Sequence, residues 1–270
     1  MMTLYHNDMS VCSAKVRMAL AEKGLEWESE HLNLRAGDAQ RPDYVALNPN
    51  QVVPTLVHGE RVIVESTVIC EYLDDVSPDP PLRGPDPYAR ARMRLWTKQL
   101  DEGAHAAIGM LSLCVAFREQ HLDRDPDELK RYLAAMVDAA RRERIAQALE
   151  FAMDAPGYAP ALARWERIVT EMDAALARGP WLAGEACTLA DVAYAPYLAR
   201  LEHLGLDDMV RARPRVTEWW SRLAARPAFQ EGVRRWFNPS YLALFDRQRE
   251  KARAHARRLL ALKRVSNRSC

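Results

Sequence analysis

Three short stretches of the chain carry side chains that could do chemistry. Met9-Ser10-Val11-Cys12-Ser13 sets two hydroxyls and a thiol between a strand-like stretch, Thr3–His6, and a helical stretch from Ser10 to Lys23. Side chains at such a junction face helix amides that lack intrahelical partners, and the positive end of the helix dipole. That field lowers the pKa of a thiol bound there, and a hydroxyl aimed at the sulfur stabilises the thiolate further. The same residues also suit plain helix capping, because Ser is a favoured N-cap. Alone, Ser-x-Cys-Ser before a helix decides nothing.

The second stretch is Val52-Val53-Pro54-Thr55, just ahead of a β-rich run. A proline between irregular chain and a strand is a cis candidate. A cis bond there turns the Val53 N–H and C=O outward, free to pair with an extended peptide ligand as an added strand. A trans proline at a strand start is the plainer alternative. The third stretch, Glu65-Ser66, sits where a strand meets a helix. Ser66 and the helix amides suit a carboxylate and Glu65 suits an ammonium group, although an ordinary cap has the same composition. Thr188-Leu189-Ala190-Asp191 reads as a capping box and is structural.

The elements that must position these residues follow from periodicity. Thr3–His6 is a first strand. Val16, Ala19 and Leu20 mark a helix that Gly24 ends, and Leu25–Leu34 alternates as a second strand. Thr55–His58 and Arg61–Val64 flank Gly59-Glu60 as a hairpin, and Val68, Ile69, Tyr72, Leu73 and Val76 trace one face of a helix. Strand, helix, strand, irregular link, hairpin and helix form the order of a thioredoxin-like domain over residues 1–80. The Pro- and Gly-dense run Pro78–Pro87 cannot continue a helix, and residues 81–87 are the expected linker. Residues 88–270 read as all-helical. Leu162, Trp165, Val169, Met172 and Leu176 make one core stripe, and Val216, Trp219, Trp220 and Leu223 another. Between Arg118 and Pro160 lies a charged stretch with few large apolar residues, an insertion or helical excursion of no evident role. Pro196 should bend the helix that Thr188 caps.

Bulk composition narrows the classes. In 270 residues, 38 basic side chains balance 37 acidic ones for a formal charge of +1, so no global field draws the chain to nucleic acid or a membrane surface. The basic run Arg247–Arg268 reads as a solvated helical face or a frayed tail. The N-terminus has no leader pattern, and no apolar run reaches the length of about 18 residues expected of a membrane span. Five scattered cysteines suggest a reduced, cytoplasmic protein, and the dispersed histidines offer no metal-ligand spacing, so no metal is expected.

In combination the stretches point to a family. Met9–Ser13, Asn48-Pro49-Asn50-Gln51-Val52-Val53-Pro54, Glu65-Ser66-Thr67, Thr188–Asp191 and Arg213-Pro214 through Arg226-Pro227 stand in an order and spacing that resembles the glutathione transferase superfamily. The resemblance covers roughly residues 3–237. It implies an α/β thioredoxin-like domain followed by an all-α domain, glutathione as co-substrate, and a homodimer. Residue by residue, it implies that Ser10 activates the glutathione thiol. Val53 would pair with the cysteinyl backbone ahead of cis-Pro54, and Glu65 with Ser66 would hold the γ-glutamyl end. Gln40 falls where some members contact the glycyl carboxylate. Met9 and the helix around His105 to Met110 would line an apolar pocket for a small aromatic electrophile.

Subgroup resemblances diverge. Ser10 and Cys12, with Val52–Pro54, resemble the tetrachlorohydroquinone reductive dehalogenases and, more loosely, zeta-class maleylacetoacetate isomerases. In the dehalogenases the position of Cys12 attacks a glutathionyl adduct and forms a mixed disulfide. Glu65–Leu73 and Pro85–Lys98 resemble bacterial lignin β-etherases, where the hydroxyl equivalent to Ser13 lies nearer the sulfur. Ser10 and Ser13 therefore stand unranked. Val52 replaces a Gln found in many members, and residues 118–160 outrun compact ones. Nucleophilic transfer is the expected activity, with ether cleavage and dehalogenation as narrower forms; a binding or regulatory protein on the same fold is the alternative.

Overall fold

Met2, Leu4 and His6 turn inward while Thr3 and Tyr5 are half-exposed, and this alternation makes Met2–His6 a strand, β1, with one face on the core. The computed structural model describes residues 1–266; Arg268 and Cys270 lie outside them. β2 (Glu28–His31) runs parallel to β1 after the crossover helix α1 (Val11–Glu22), as a parallel neighbour requires. β3 (Thr55–His58) and β4 (Arg61–Val64) complete a four-stranded sheet of order β2-β1-β3-β4. Gly59, with φ of 62°, makes the tight turn between them. α2 (Pro42–Leu47) lies in the link before β3, and α3 (Ser66–Val76) follows β4 and packs against α1. β2 is shorter than the alternation from Leu25 to Leu34 suggests. Its four residues are exposed at the sheet edge, while Leu25 and Trp27 leave the strand to pack on the core.

Register sets up the site. Tyr5 pairs with Thr55, and Thr55 pairs with Val64, so the end of β1, the start of β3 and the end of β4 form one row. One step beyond that row lie the β1–α1 loop, Val53-Pro54 and Glu65-Ser66. Three stretches far apart in sequence thus leave the sheet at one end.

Residues 77–86 are irregular, yet tied down. Asp74 accepts the Leu82 amide at 2.8 Å and pairs with Lys23, and Leu82 O accepts the Leu189 amide at 2.7 Å. Then α4 (Pro87–Gln99), α5 (His105–Ser112) and α6 (Arg118–Leu122) make one interrupted run, joined by π-helical turns at Leu100–Ala104 and Leu113–Phe117. By length and composition this run could cross a membrane, unlike any run expected from the sequence. Here Leu100, Ile108, Leu111 and Val115 are buried while Leu95 and Leu122 are exposed, and α5 packs on α9 and α10.

The charged stretch 118–160 forms α6, α7 (Pro126–Ala134) and α8 (Ala139–Phe151). α9 (Tyr158–Leu176) and α10 (Leu189–His203) carry the helical core, followed by α11 (Asp208–Arg211), α12 (Pro214–Ala224), α13 (Pro227–Gly232) and α14 (Pro239–Ser266). The expected stripes of α9 and α12 are buried, except that Trp220 is half-buried with its Nε1 donating to Glu202 at 2.6 Å. The Asp191 carboxylate accepts from Thr188 N (2.9 Å), Leu182 N (2.9 Å) and Trp219 Nε1 (2.8 Å), so the capping box also anchors a loop and α12. α14 is amphipathic rather than frayed. Phe245, Ala252 and Ala256 are buried, while Arg249, Arg253 and Arg257 bind Glu202 O, Asp207 and Asp208.

Candidate active site

Ser10 is the N-cap of α1, with its Oγ accepting the Ser13 amide at 3.2 Å, and it is half-buried at the edge of the site. Ser13 is fully buried, and its Oγ accepts the Asn7 amide at 3.3 Å on the far side of the loop. Cys12 lies between them and faces the helical domain. Its Sγ stands 3.5 Å from His105 Nδ1 and 3.8 Å from the Tyr197 hydroxyl, and Tyr197 is itself 3.2 Å from His105 Nδ1.

Cys12 and His105 are 93 positions apart, and a kink brings them together. Within the π-helical turn before α5, Gly103 takes φ of 118° and Glu102 leaves helical geometry; Arg164 Nη2 donates to the freed Glu102 O at 2.8 Å. α5 restarts at His105, aimed at α1. Burial alone would push the Cys12 thiol up. The His105 charge and hydrogen bond, helped by Lys15 and Ser66, outweigh it and bring the pKa down to about 6. His105 is raised in turn by the Cys12 charge, against desolvation. The two shifts favour a thiolate–imidazolium couple, with Cys12 half-buried and His105 exposed to solvent. Burial raises the Tyr197 hydroxyl well above its ordinary value, so it stays a neutral donor.

Two buried arginines hold the loop that carries these groups. Arg17 donates to Asn7 O and Asp8 O, both at 2.9 Å, and Arg200 donates to Met9 O at 2.5 Å. Nothing in the sequence singled out Arg17, Arg200 or Tyr197. They look like charged or aromatic residues on helices, and only the fold turns them inward. Lys15, also buried, donates to Thr67 Oγ1 at 3.0 Å, and Thr67 donates to Asp101 at 3.1 Å.

The second and third expected stretches stand at the start of β3 and the end of β4. The Val53–Pro54 bond is cis. Val52 O is taken by the Tyr44 hydroxyl and Asn48 Nδ2, whereas Val53 N–H and C=O have no partner among the described residues. Glu65, exposed, holds φ of 67°, a conformation rare outside glycine. Ser66 opens α3, is buried, and helps to lower the Cys12 thiol pKa.

The remaining expected residues are spread more widely. Gln40 lies in a turn before α2, and its Nε2 donates to Tyr132 O of α7 at 3.2 Å. Met9 is buried under α10 and α14, its sulfur accepting the Asn238 amide at 3.5 Å. Met110 is buried on α5, against Gly157. Both methionines belong more to the floor beneath the site than to its open wall. Among the described residues no His, Cys, Asp or Glu cluster has the makings of a metal site.

A four-stranded thioredoxin-like sheet followed by a helical domain matches known proteins. The N-terminal domain model of glutathione S-transferases matches residues 9–76, and the C-terminal domain model matches residues 144–227. The chain is 30% identical over 236 residues to the tetrachloro-p-hydroquinone reductive dehalogenase of Sphingobium chlorophenolicum, covering 84% of this chain and 94% of that one. It is 32% identical to glutathione S-transferase 3 of Zea mays, covering 85% and 92%. Among solved structures, the β-etherase LigF of Sphingobium sp. strain SYK-6 superposes with a TM-score of 0.79 at 26% identity, over 86% of this chain and 98% of that one. The chain belongs to the glutathione S-transferase family. It is a glutathione-using transferase whose two domains are those of that fold.

Proposed function

We propose that the enzyme ionises glutathione at the N-terminus of α1 and directs the thiolate onto a small aromatic electrophile. The observation that carries this is the shared exit of three segments from one end of the sheet: Ser10, the unpaired Val53 backbone beside cis-Pro54, and Ser66 at the start of α3. An extended γ-glutamyl peptide adds to Val53 as a short strand. Its α-carboxylate faces Ser66 and the α3 amides, its ammonium faces Glu65, and its thiol faces the helix end at Ser10. The thiolate attacks the electrophilic carbon and the leaving group departs with its bonding pair. Of the two hydroxyls, Ser10 is the donor, because Ser13 is buried and turned toward Asn7. We place the enzyme as a homodimer in the reducing cytoplasm, in keeping with Cys12, Cys70, Cys114 and Cys187 all being free thiols.

The Cys12–His105 couple favours a second, narrower reading. In it the Cys12 thiolate attacks the sulfur of an aryl–glutathione thioether. The carbon–sulfur bond breaks, its pair stays on the ring carbon and takes a proton from the His105 imidazolium, and a Cys12–glutathione disulfide remains. A second glutathione cleaves that disulfide, leaving glutathione disulfide and free Cys12.

Ser10→Ala should raise the pKa of bound glutathione by a unit or more, read from thiolate absorbance against pH, whereas Ser13→Ala should not. An unmoved pKa in Ser10→Ala would remove the hydroxyl from the mechanism. Mass spectrometry during turnover of a chlorinated hydroquinone reads the narrower form; absence of a glutathione adduct on Cys12 would end it.

A further inference from the structure

The excursion formed by α7 and α8 does not stand away from the thioredoxin-like domain. It closes a cleft against it of about 350 Å³, mouth included, with Gln40 and Gln51 on one wall and Tyr132, Met136 and Arg141 on the other. The Gln40–Tyr132 hydrogen bond joins the walls. Two groups in the cleft are left over. Gln51 Oε1 is buried and accepts no hydrogen bond. Arg141 is half-buried, and its guanidinium has neither an ion pair nor a hydrogen bond among the described residues. The neighbouring carboxylate, Asp138, is committed elsewhere: it caps α8 by accepting the Arg141 amide at 2.9 Å and lies 3.7 Å from Arg144. The Arg141 charge opposes protonation of His105, which sets the guanidinium within electrostatic reach of the thiol site.

We infer that Arg141, from the helical domain, binds the carboxylate of glutathione's glycine while Gln51 Oε1 accepts the glycyl N–H. The inference rests on the glutathione reading proposed above and follows from direction. With the γ-glutamyl end at Glu65 and Ser66 and the cysteinyl unit on Val53, the third residue falls on the side of Gln51 and Gln40. A free acceptor beside a free cation fits a peptide's C-terminal unit, which offers one N–H and one carboxylate. An aryl electrophile lacking an N–H would leave Gln51 unsatisfied. The excursion is thereby a clamp on the co-substrate, contributed by the other domain. Planar, two-pronged donation makes Arg better suited to this than Lys.

Calorimetric titration with glutathione and with γ-glutamylcysteine, which lacks the glycine, tests the assignment. The wild-type enzyme should bind glutathione about tenfold or more tightly than the dipeptide, a gap of the size of one charge-assisted contact. Arg141→Met should close the gap by weakening glutathione alone, and Arg141→Lys should restore part of it. Equal weakening of both ligands, an unchanged glutathione affinity, or an effect confined to the KM of an acidic aryl electrophile would each overturn the inference. Ser66→Ala separates the layers, because it should weaken both ligands alike. If the wild-type protein binds neither, the glutathione reading fails and this clamp with it; if only the Arg141 effect is missing, that reading stands.

Discussion

At the scale of the residue, the chemistry turns on how two groups of modest reactivity change each other. Cys12 titrates near 6, so its sulfur is a thiolate at pH 7 and takes up a proton as the pH falls through that value. Burial pushes Cys70 and Cys114 up to about 12 and raises Cys187 as well, so these three remain thiols throughout the neutral range. In a chain carrying Cys270→Ser, iodoacetamide at pH 7 should therefore alkylate Cys12 first, with a rate that declines below pH 6. His105→Gln removes the largest favourable contribution and leaves the desolvation. The midpoint of the rate–pH curve should then rise by a unit or more, toward or past the ordinary thiol value of about 8.5. An unmoved midpoint would assign the ionisation to Lys15 and the α1 N-terminus instead. None of this pairing was legible in the sequence. Ser10, Cys12 and Ser66 announce themselves by standing at helix starts, but His105 and Tyr197 sit in ordinary apolar helices.

At the scale of the element, local patterns were readable wherever one face alone meets the core. The 3.6-residue stripe of α9, the hairpin at Gly59 and the capping box at Thr188 appear as expected because each is decided by neighbours within a turn or two. β2 and the excursion were harder for the opposite reason. β2 is four exposed residues held only by its ladder to β1, so alternation carries no hydrophobic signal there. The excursion's ties to Gln40 and Arg35 are long-range contacts that no periodicity reports. Close approach between helices is another such case. A Cβ on Gly232 of α13 would stand 2.5 Å from Met18 N and 2.6 Å from Met18 Cα of α1, both backbone atoms that cannot swing aside. Gly232→Ala should force the two helices apart and cost about 2 kcal/mol in urea unfolding. A variant as stable as the wild type would show that α13 slides freely over α1.

At the scale of the whole molecule, the same interface determines whether two domains mean two stabilities. α1 belongs to the sheet by connection, but it is buried between the sheet and the helices α10 and α13. One continuous core runs from Leu4 and Val16 through Ile69 to Trp165 and Trp219. Polar contacts cross it as well. Arg226 holds Glu22 with two bonds of 2.6 Å, and Arg17 donates to Gly232 O at 3.0 Å while lying over the Trp236 ring. Removing the helical domain would therefore expose one whole side of α1 and leave Arg17 buried in nothing. The two domains should unfold as one unit. Tryptophan fluorescence reports mainly on the helical domain, where six of the seven tryptophans lie, whereas far-UV circular dichroism sees both. The two signals should give coincident urea transitions at a fixed protein concentration. Arg17→Met strips a donor from Asn7 O, Asp8 O and Gly232 O and should lower stability by about 3 kcal/mol, moving both transitions together. A variant whose circular dichroism change begins well before its fluorescence change would mean that the thioredoxin-like domain melts alone. The loop bearing Ser10 and Cys12 would then be held by its own domain and not by the pair.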